Sequence, residues 1–207
     1  MVGDITRYFP SLSLIQVEKY SQLKGIYEYW NSKINVISRK DFGNFYTHHV
    51  LHSLAIAKII QFREGTKILD VGTGGGFPGI PLAIMFPDSS FYLLDSIEKK
   101  TGVVSAVAGK LGLNNVTVIR KRAEEEKDIF DFVVSRAVMD IRGFVALTKK
   151  NIDRKSRNEI RNGIIYLKGG DLTEEISPFQ KIAVVWEINK FFHEPFFETK
   201  KIIYIPV

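Results

Sequence analysis

The sequence predicts an α/β fold: a mostly parallel sheet with helices on both faces, a C-terminal antiparallel hairpin closing one edge, and a helical cap in front. Three observations predict it. From Lys67 onward, short apolar runs alternate with helical stretches. The first of these runs ends in clustered glycines and the second in an acid, Asp95. Before residue 65, apolar residues recur instead at three- and four-residue steps.

Each element has its own local reason. Leu12, Ile15, Tyr20, Leu23, Ile26, Tyr27 and Trp30 keep helical spacing, and a second helix is expected over 42–62, with Leu51, Leu54, Ile56, Ile59 and Ile60 apolar. Strands are expected at 67–71, 91–94, 116–119, 130–134 and 164–167. Helices are expected at 80–86, at 98–111, where Gly112 stops the turn, and at 142–150. In the tail, 182–187 and 201–205 read as two strands flanking a Phe-rich stretch, 191–197. No repeat or low-complexity linker intervenes, so residues 1–65 read as an integral cap on a sheet domain spanning 66–207.

Composition bounds the function without naming it. At 207 residues with 45% hydrophobic content, the chain suits one α/β domain with an extension. Cysteine is absent, which removes disulfides, thiolate metal sites and cysteine nucleophiles and fits a reducing compartment. No apolar run approaches the roughly 20 residues of a membrane span, and Met1-Val2-Gly3-Asp4 begins no signal peptide. A cytoplasmic monomer without membrane attachment is the expectation. The formal charge of +6 favours a polyanionic partner. Much of the excess sits in 149–161, where Lys149, Lys150, Arg154, Lys155, Arg157 and Arg161 face only Asp153 and Glu159. Such a run is either a solvated loop or a phosphate-binding face.

The glycines and Asp95 carry the chemistry. Gly72, Gly74 and Gly76 follow a strand, where residues without a Cβ let backbone approach a ligand closely. Asp95 follows Gly74 at about the 20-residue distance at which an acid meets ribose hydroxyls in nucleoside-binding βαβ units. No Gly-Lys-Ser/Thr follows the glycines, so a Walker phosphate loop fails. NAD and S-adenosyl-L-methionine both remain. The reversed C-terminal strand favours the second, because a parallel sheet ending in an antiparallel hairpin is the layout of Rossmann-like class I S-adenosylmethionine-dependent methyltransferases; that step is analogy between folds.

A closer resemblance lies in the motifs. L-D-V-G-T-G-G-G-F-P-G-I-P-L-A from Leu69, L-L-D-S from Leu93 with Lys99-Lys100, L-G-L-N-N-V from Leu111, R-A-E-E from Arg122, F-D-F-V-V-S-R-A from Phe130 and L-K-G from Leu167 together resemble the RsmG/GidB family. Upstream, W-N-S-K-I-N-V-I-S from Trp30 and H-H-V-L-H-S-L from His48 resemble its N-terminal segments. The chain departs from the family's usual residues at His48, His52 and Lys100, and its 149–161 loop is longer.

The resemblance implies a methyltransferase that takes S-adenosyl-L-methionine and modifies guanine N7 in small-subunit (16S) ribosomal RNA, as naked RNA or within a ribosomal subunit. It implies cofactor contacts by Gly72, Phe77, Ala123, Glu124 and Arg136, beside Gly74, Gly76 and Asp95. Direct displacement at N7 needs no general base, so no catalytic acid or base is expected and no metal. The other readings are a methyltransferase of another RNA base or small molecule, and an inactive RNA-binding protein on the same scaffold.

Several residues keep two readings. Glu124 is a cofactor contact or a surface acid. Arg136 is a ligand contact, to cofactor or RNA, or an ion-pair residue. Lys168 meets RNA phosphate or caps the sheet edge, and Lys155 and Arg157 hold RNA if their segment flanks the cleft. His48, His49 and His52 pack the cap against the cleft or touch RNA; a metal site lacks an obvious third ligand. The phenylalanines at 191–197 stack on bases or lie buried.

Overall fold

The computed structural model describes residues 2–207. Two helices open the chain, α1 (Val2–Tyr8) and α2 (Leu14–Asn31). A reciprocal cap starts α2: Ser13 Oγ accepts from Gln16 N at 3.3 Å, and the Gln16 side chain accepts from Ser13 N at 2.9 Å. The buried face of α2 runs through Tyr20, Leu23 and Tyr27. Gln16 continues that face and donates to Ile84 O and Met85 O, both at 3.0 Å. This rotation leaves Ile15 66% exposed, although it shares the apolar spacing.

The helix expected over 42–62 is not regular. It winds as a 3₁₀ turn (Phe42–Asn44), a π-helical stretch (Phe45–Leu51), one α turn that counts as α3 (His52–Leu54) and a second 3₁₀ turn (Ala55–Lys58). Competing donors explain the distortion. Ser53 Oγ takes the His49 carbonyl at 2.6 Å and Arg136 takes the His48 carbonyl at 3.1 Å, so helix acceptors are drawn off the regular ladder. Wide π turns of this kind concentrate at functional sites.

The sheet elements follow in order: β1 (Lys67–Val71), α4 (Gly79–Met85), β2 (Ser90–Asp95), α5 (Glu98–Lys110), β3 (Val116–Arg120), β4 (Phe132–Arg136), α6 (Ile141–Thr148), β5 (Gly163–Gly169), α7 (Thr173–Ile176), β6 (Val184–Glu187) and β7 (Lys200–Pro206). The seven strands lie in the order β3-β2-β1-β4-β5-β7-β6. The first five are parallel, and β7 runs antiparallel between β5 and β6. Expected and observed strands agree within two residues, and the later start of β4 puts Arg136 at its C-terminal end.

Side chains alternate between two cores, as a sheet covered on both faces requires. Ile68, Phe132 and Ile165 face α2, α4, α5 and the 42–58 segment. Leu69, Val133 and Ile164 face α6, where Phe144 stacks on Tyr166 with centroids 4.6 Å apart. Because β1 lies between β2 and β4, the chain leaves it to opposite sides. The C-terminal ends of these central strands therefore frame a crevice, the usual ligand position in open α/β sheets.

The basic segment lies at the other end. It leads into the start of β5, and Asn158 Oδ1 accepts from Arg63 N at 2.9 Å and Thr66 Oγ1 at 3.2 Å, just ahead of β1. The expectation that Lys155 and Arg157 flank the crevice is therefore corrected: the 153–162 stretch sits at the N-terminal edge. The cause is topological, since α6 carries the chain away from the crevice before β5 starts. Among the described residues, no helix is long and apolar enough to cross a membrane.

Candidate active-site cleft

A cleft of about 400 Å³ opens at the C-terminal ends of β1, β2 and β4. Gly72, Leu94, Asp95, Ile97, Ala123, Glu124, Arg136 and the 137–139 turn line it, with Lys100, Lys121 and Arg122 also on its walls. Its size falls within the range of small-ligand sites.

The glycine turn is built from inside. Asp70, fully buried on β1, accepts at Oδ2 from Thr73 Oγ1 at 2.6 Å and from Gly79 N at 2.8 Å. The turn between them is thereby closed on the start of α4. Asp95 fastens it from β2: Oδ2 accepts from Gly74 N at 3.0 Å and Oδ1 from Ile97 N at 2.9 Å. A carboxylate offers about four lone-pair sites, so two backbone bonds leave capacity for ribose hydroxyls. From the cap, Tyr27 Oη donates to Gly75 O at 2.6 Å. Gly72 has φ +68°, and a Cβ there would stand 2.7 Å from Val138 Cγ2. The bare backbone at this point is thus required both by conformation and by the wall opposite.

Asp70 was not singled out from sequence, yet it carries the largest carboxylate perturbation at the site. Burial pushes its pKa up to about 7, with the hydrogen bonds from Thr73 and Gly79 opposing. Between its ordinary value near 3.8 and about 7 the folded chain keeps a proton that the unfolded chain releases. This contribution to stability is full below the lower value and is lost as pH rises through the upper one. Denaturant midpoints of the wild type and Asp70→Asn, compared from pH 4 to pH 7, should show a shallower fall with rising pH in the variant.

Arg136 joins cap and cleft. Nη1 donates to His48 O and Nη2 to His49 Nδ1, both at 3.1 Å, and Cζ lies 5.3 Å from the Phe77 ring centroid. Burial lowers its pKa, while the carboxylates of Asp70 and Asp41 partly offset that. Behind it, His49 Nε2 lies 2.7 Å from Asp41 Oδ2, and the other carboxylate oxygen of Asp41 contacts His48 Nδ1. Burial, then the charge of Arg136, pushes the His49 pKa down to about 4, so the ring is neutral near pH 7.

The sequence candidates thus divide. Gly72, Asp95, Ala123, Glu124 and Arg136 come together on the cleft wall, and Gly74 is bonded to Asp95. Gly76 and Phe77 lie behind, where Phe77 packs against Tyr27, Phe45 and His49. Lys168 donates to Met139 O at 3.2 Å and pairs with Glu175. His48 stacks on Phe196 at 3.8 Å, and His52 meets Phe196 and Phe197 edge-on. Phe192 and Phe197 are fully buried and Phe196 is half-buried. Sequence reading missed the apolar walls Leu94, Ile97 and Leu147, because no motif marks an aliphatic side chain as a ligand wall.

The fold sets the class. The chain is similar to a SAM dependent methyltransferase from Aquifex aeolicus, with TM-score 0.56 and 17% identity over 75% of this chain and 89% of that one. It is also similar to magnesium protoporphyrin IX methyltransferase (ChlM) from Synechocystis PCC 6803, solved with bound SAM, with TM-score 0.54 and 16% identity over 76% of each chain. A seven-stranded sheet, parallel except for one reversed inner strand, with a glycine turn and acid at its switch point, is that of a class I S-adenosylmethionine-dependent methyltransferase. Sequence comparison narrows this further. The family model GidB, rRNA small subunit methyltransferase G, matches residues 16–202. Ribosomal RNA small subunit methyltransferase G of Bacteroides thetaiotaomicron is 56% identical over 97% of both chains, and that of Flavobacterium psychrophilum is 54% identical over 99% of this chain and 97% of its own. The chain belongs to the GidB family of small-subunit rRNA methyltransferases.

Proposed function

We propose that this protein transfers a methyl group from S-adenosyl-L-methionine to N7 of a guanine in small-subunit (16S) ribosomal RNA. The observation that carries the reading is one cleft that gathers the bare turn at Gly72, the Asp95 carboxylate and the Arg136 guanidinium in a chain of the GidB family. The cleft fits the cofactor: Asp95 has lone pairs for ribose hydroxyls, Ile97 and Ala123 offer apolar walls for a purine, and the turn backbone at Gly72 is open to the methionine part. Bound there, S-adenosyl-L-methionine supplies an electrophilic methyl group on a cationic sulfur.

Guanine N7 has an in-plane lone pair and no proton to remove. The cleft is therefore asked only to hold two reactants in line, and alignment of this kind is worth about 7–11 kcal/mol. Arg136 is the residue on its wall suited to meet RNA as well as cofactor. Lys100 and Arg122 on the same walls are placed to meet RNA phosphates, whereas Lys155 and Arg157 lie at the far edge of the sheet. Residues 1–65 act as a cap on the methyltransferase domain, 66–207, and the protein works as a cytoplasmic monomer.

Asp95→Ala should weaken cofactor binding by about 1.5–3 kcal/mol, the scale of hydrogen bonds to a charged group. Calorimetry with the wild type and the variant checks this; NAD binding without S-adenosyl-L-methionine binding would refute the reading. Methyl transfer to the small subunit should persist in EDTA, because the N7 lone pair needs no Lewis acid.

A further inference from the structure

We infer that Asp41 and His49 form a positioning pair that fixes the Arg136 guanidinium in the cleft for methyl transfer, an inference that rests on the methyltransferase reading above. The contacts form one chain from the cap surface to the cleft. Asp41 Oδ2 lies 2.7 Å from His49 Nε2, His49 Nδ1 lies 3.1 Å from Arg136 Nη2, and Arg136 lines the cleft.

Chemistry sets the direction of each bond. A guanidinium only donates, so His49 Nδ1 must accept. A neutral imidazole that accepts at Nδ1 carries its proton at Nε2, and the Asp41 carboxylate 2.7 Å away favours that proton by its charge, although it lies off the N–H direction and makes no hydrogen bond to it. The Asp41 charge thus favours the tautomer without which His49 would present an N–H to a cation. The same carboxylate holds His48, whose carbonyl takes the Arg136 Nη1 donor at 3.1 Å and whose ring is clamped by Phe196. Two of the five guanidinium donors are committed to the cap, and the Phe77 ring sits 5.3 Å from its carbon. An arginine held on three sides reaches the cleft with few rotamers left to lose, which is how support behind a contact residue raises turnover.

The π-helical stretch has a purpose in this arrangement. It brings the His48 carbonyl and the His49 ring nitrogen to one guanidinium from neighbouring residues. A purely structural staple between cap and sheet would need neither the tautomer nor an arginine on the cleft wall.

The two ends of the His49 ring can be tested separately. His49→Asn places an amide oxygen near the Nδ1 position and keeps an acceptor for Arg136. His49→Gln places its amide near the Nε2 position and keeps only the Asp41 end. Turnover on small subunits from cells lacking the modification, normalised to cofactor-binding sites, should fall about 10- to 100-fold in His49→Gln and clearly less in His49→Asn. Asp41→Ala should lose turnover in the same direction. Cofactor affinity measured by calorimetry should fall no further in any His49 variant than in Arg136→Ala, as expected of a group that acts only through Arg136. Neither His49→Gln nor Asp41→Ala should lower turnover further when added to Arg136→Ala. Full turnover in His49→Gln, or losses that multiply with Arg136→Ala, would overturn the inference while leaving the function intact. A wild type that binds cofactor but transfers no methyl group would remove the function and the inference together.

Discussion

Arg136→Ala is expected to lower kcat for methyl transfer by on the order of 10²–10³-fold, the effect of removing one preorganised donor from a closed site. The argument rests on where the charge sits. Arg136 ends β4 on the cleft wall, burial lowers its pKa, and it is backed by His48, His49 and Phe77. Its loss removes a cation bonded to the cap and leaves the His49 nitrogen without its donor. Cofactor affinity should fall less than turnover, because Asp95 at the end of β2 and Gly72 after β1 keep their places when the end of β4 is changed. General affinity for RNA should change least, since nonspecific binding is spread over many phosphate contacts. Steady-state rates, calorimetry and a filter-binding titration on the same preparation measure the three quantities. A variant with normal kcat would show that Arg136 is only a structural tie between cap and sheet.

Gly79→Ala should produce the second large effect, this time on stability. Alanine is favoured over glycine in a helix by about 1 kcal/mol, and Gly79 begins α4, so propensity alone predicts stabilisation. Packing predicts the reverse. A Cβ at this position would stand 2.1 Å from Leu93 Cδ2 and 2.8 Å from Asp70 Oδ2. Asp70 cannot retreat without giving up its bonds to Gly79 N and Thr73 Oγ1, and Leu93 is fully buried. Overpacking of this kind costs about 1–3 kcal/mol, and an Asp70 displaced from its partners adds the penalty of a buried polar group, about 1–3 kcal/mol. The clash wins. Urea denaturation should show a lower midpoint with an unchanged slope, and cofactor affinity should drop with it because the turn is held from Asp70. A midpoint equal to or above the wild type would mean that Leu93 relaxes freely.

What was legible in the sequence follows from what is local. Period-two and period-3.6 patterns placed the strands within two residues, and the reversed last strand came from a short apolar run after a Phe-rich turn. Gly72 and Asp95 announced themselves because a turn and a ribose contact require those residue types at that spacing. The 42–58 segment was not legible, since its winding is decided by Arg136 and Ser53 taking helix carbonyls, the first of them from a strand 88 residues downstream of His48. Asp70 looked like part of a motif, and only burial reveals that it organises the turn from beneath. The 149–161 charge was visible, but its position was not, because composition does not say at which end of a sheet a loop emerges. Ile15 shows the same limit on a smaller scale: Gln16, a polar residue bonded to the end of α4, turns the helix and exposes its apolar neighbour.

The central claim is that this cleft methylates guanine N7 in small-subunit rRNA. The most direct test uses small subunits and their naked rRNA from cells lacking this protein, incubated with methyl-labelled S-adenosyl-L-methionine and the purified chain, then digested to nucleosides. The account predicts label in 7-methylguanosine alone, incorporated far more slowly when the protein carries Arg136→Ala. Label recovered in adenosine, cytidine or another guanosine derivative would contradict it.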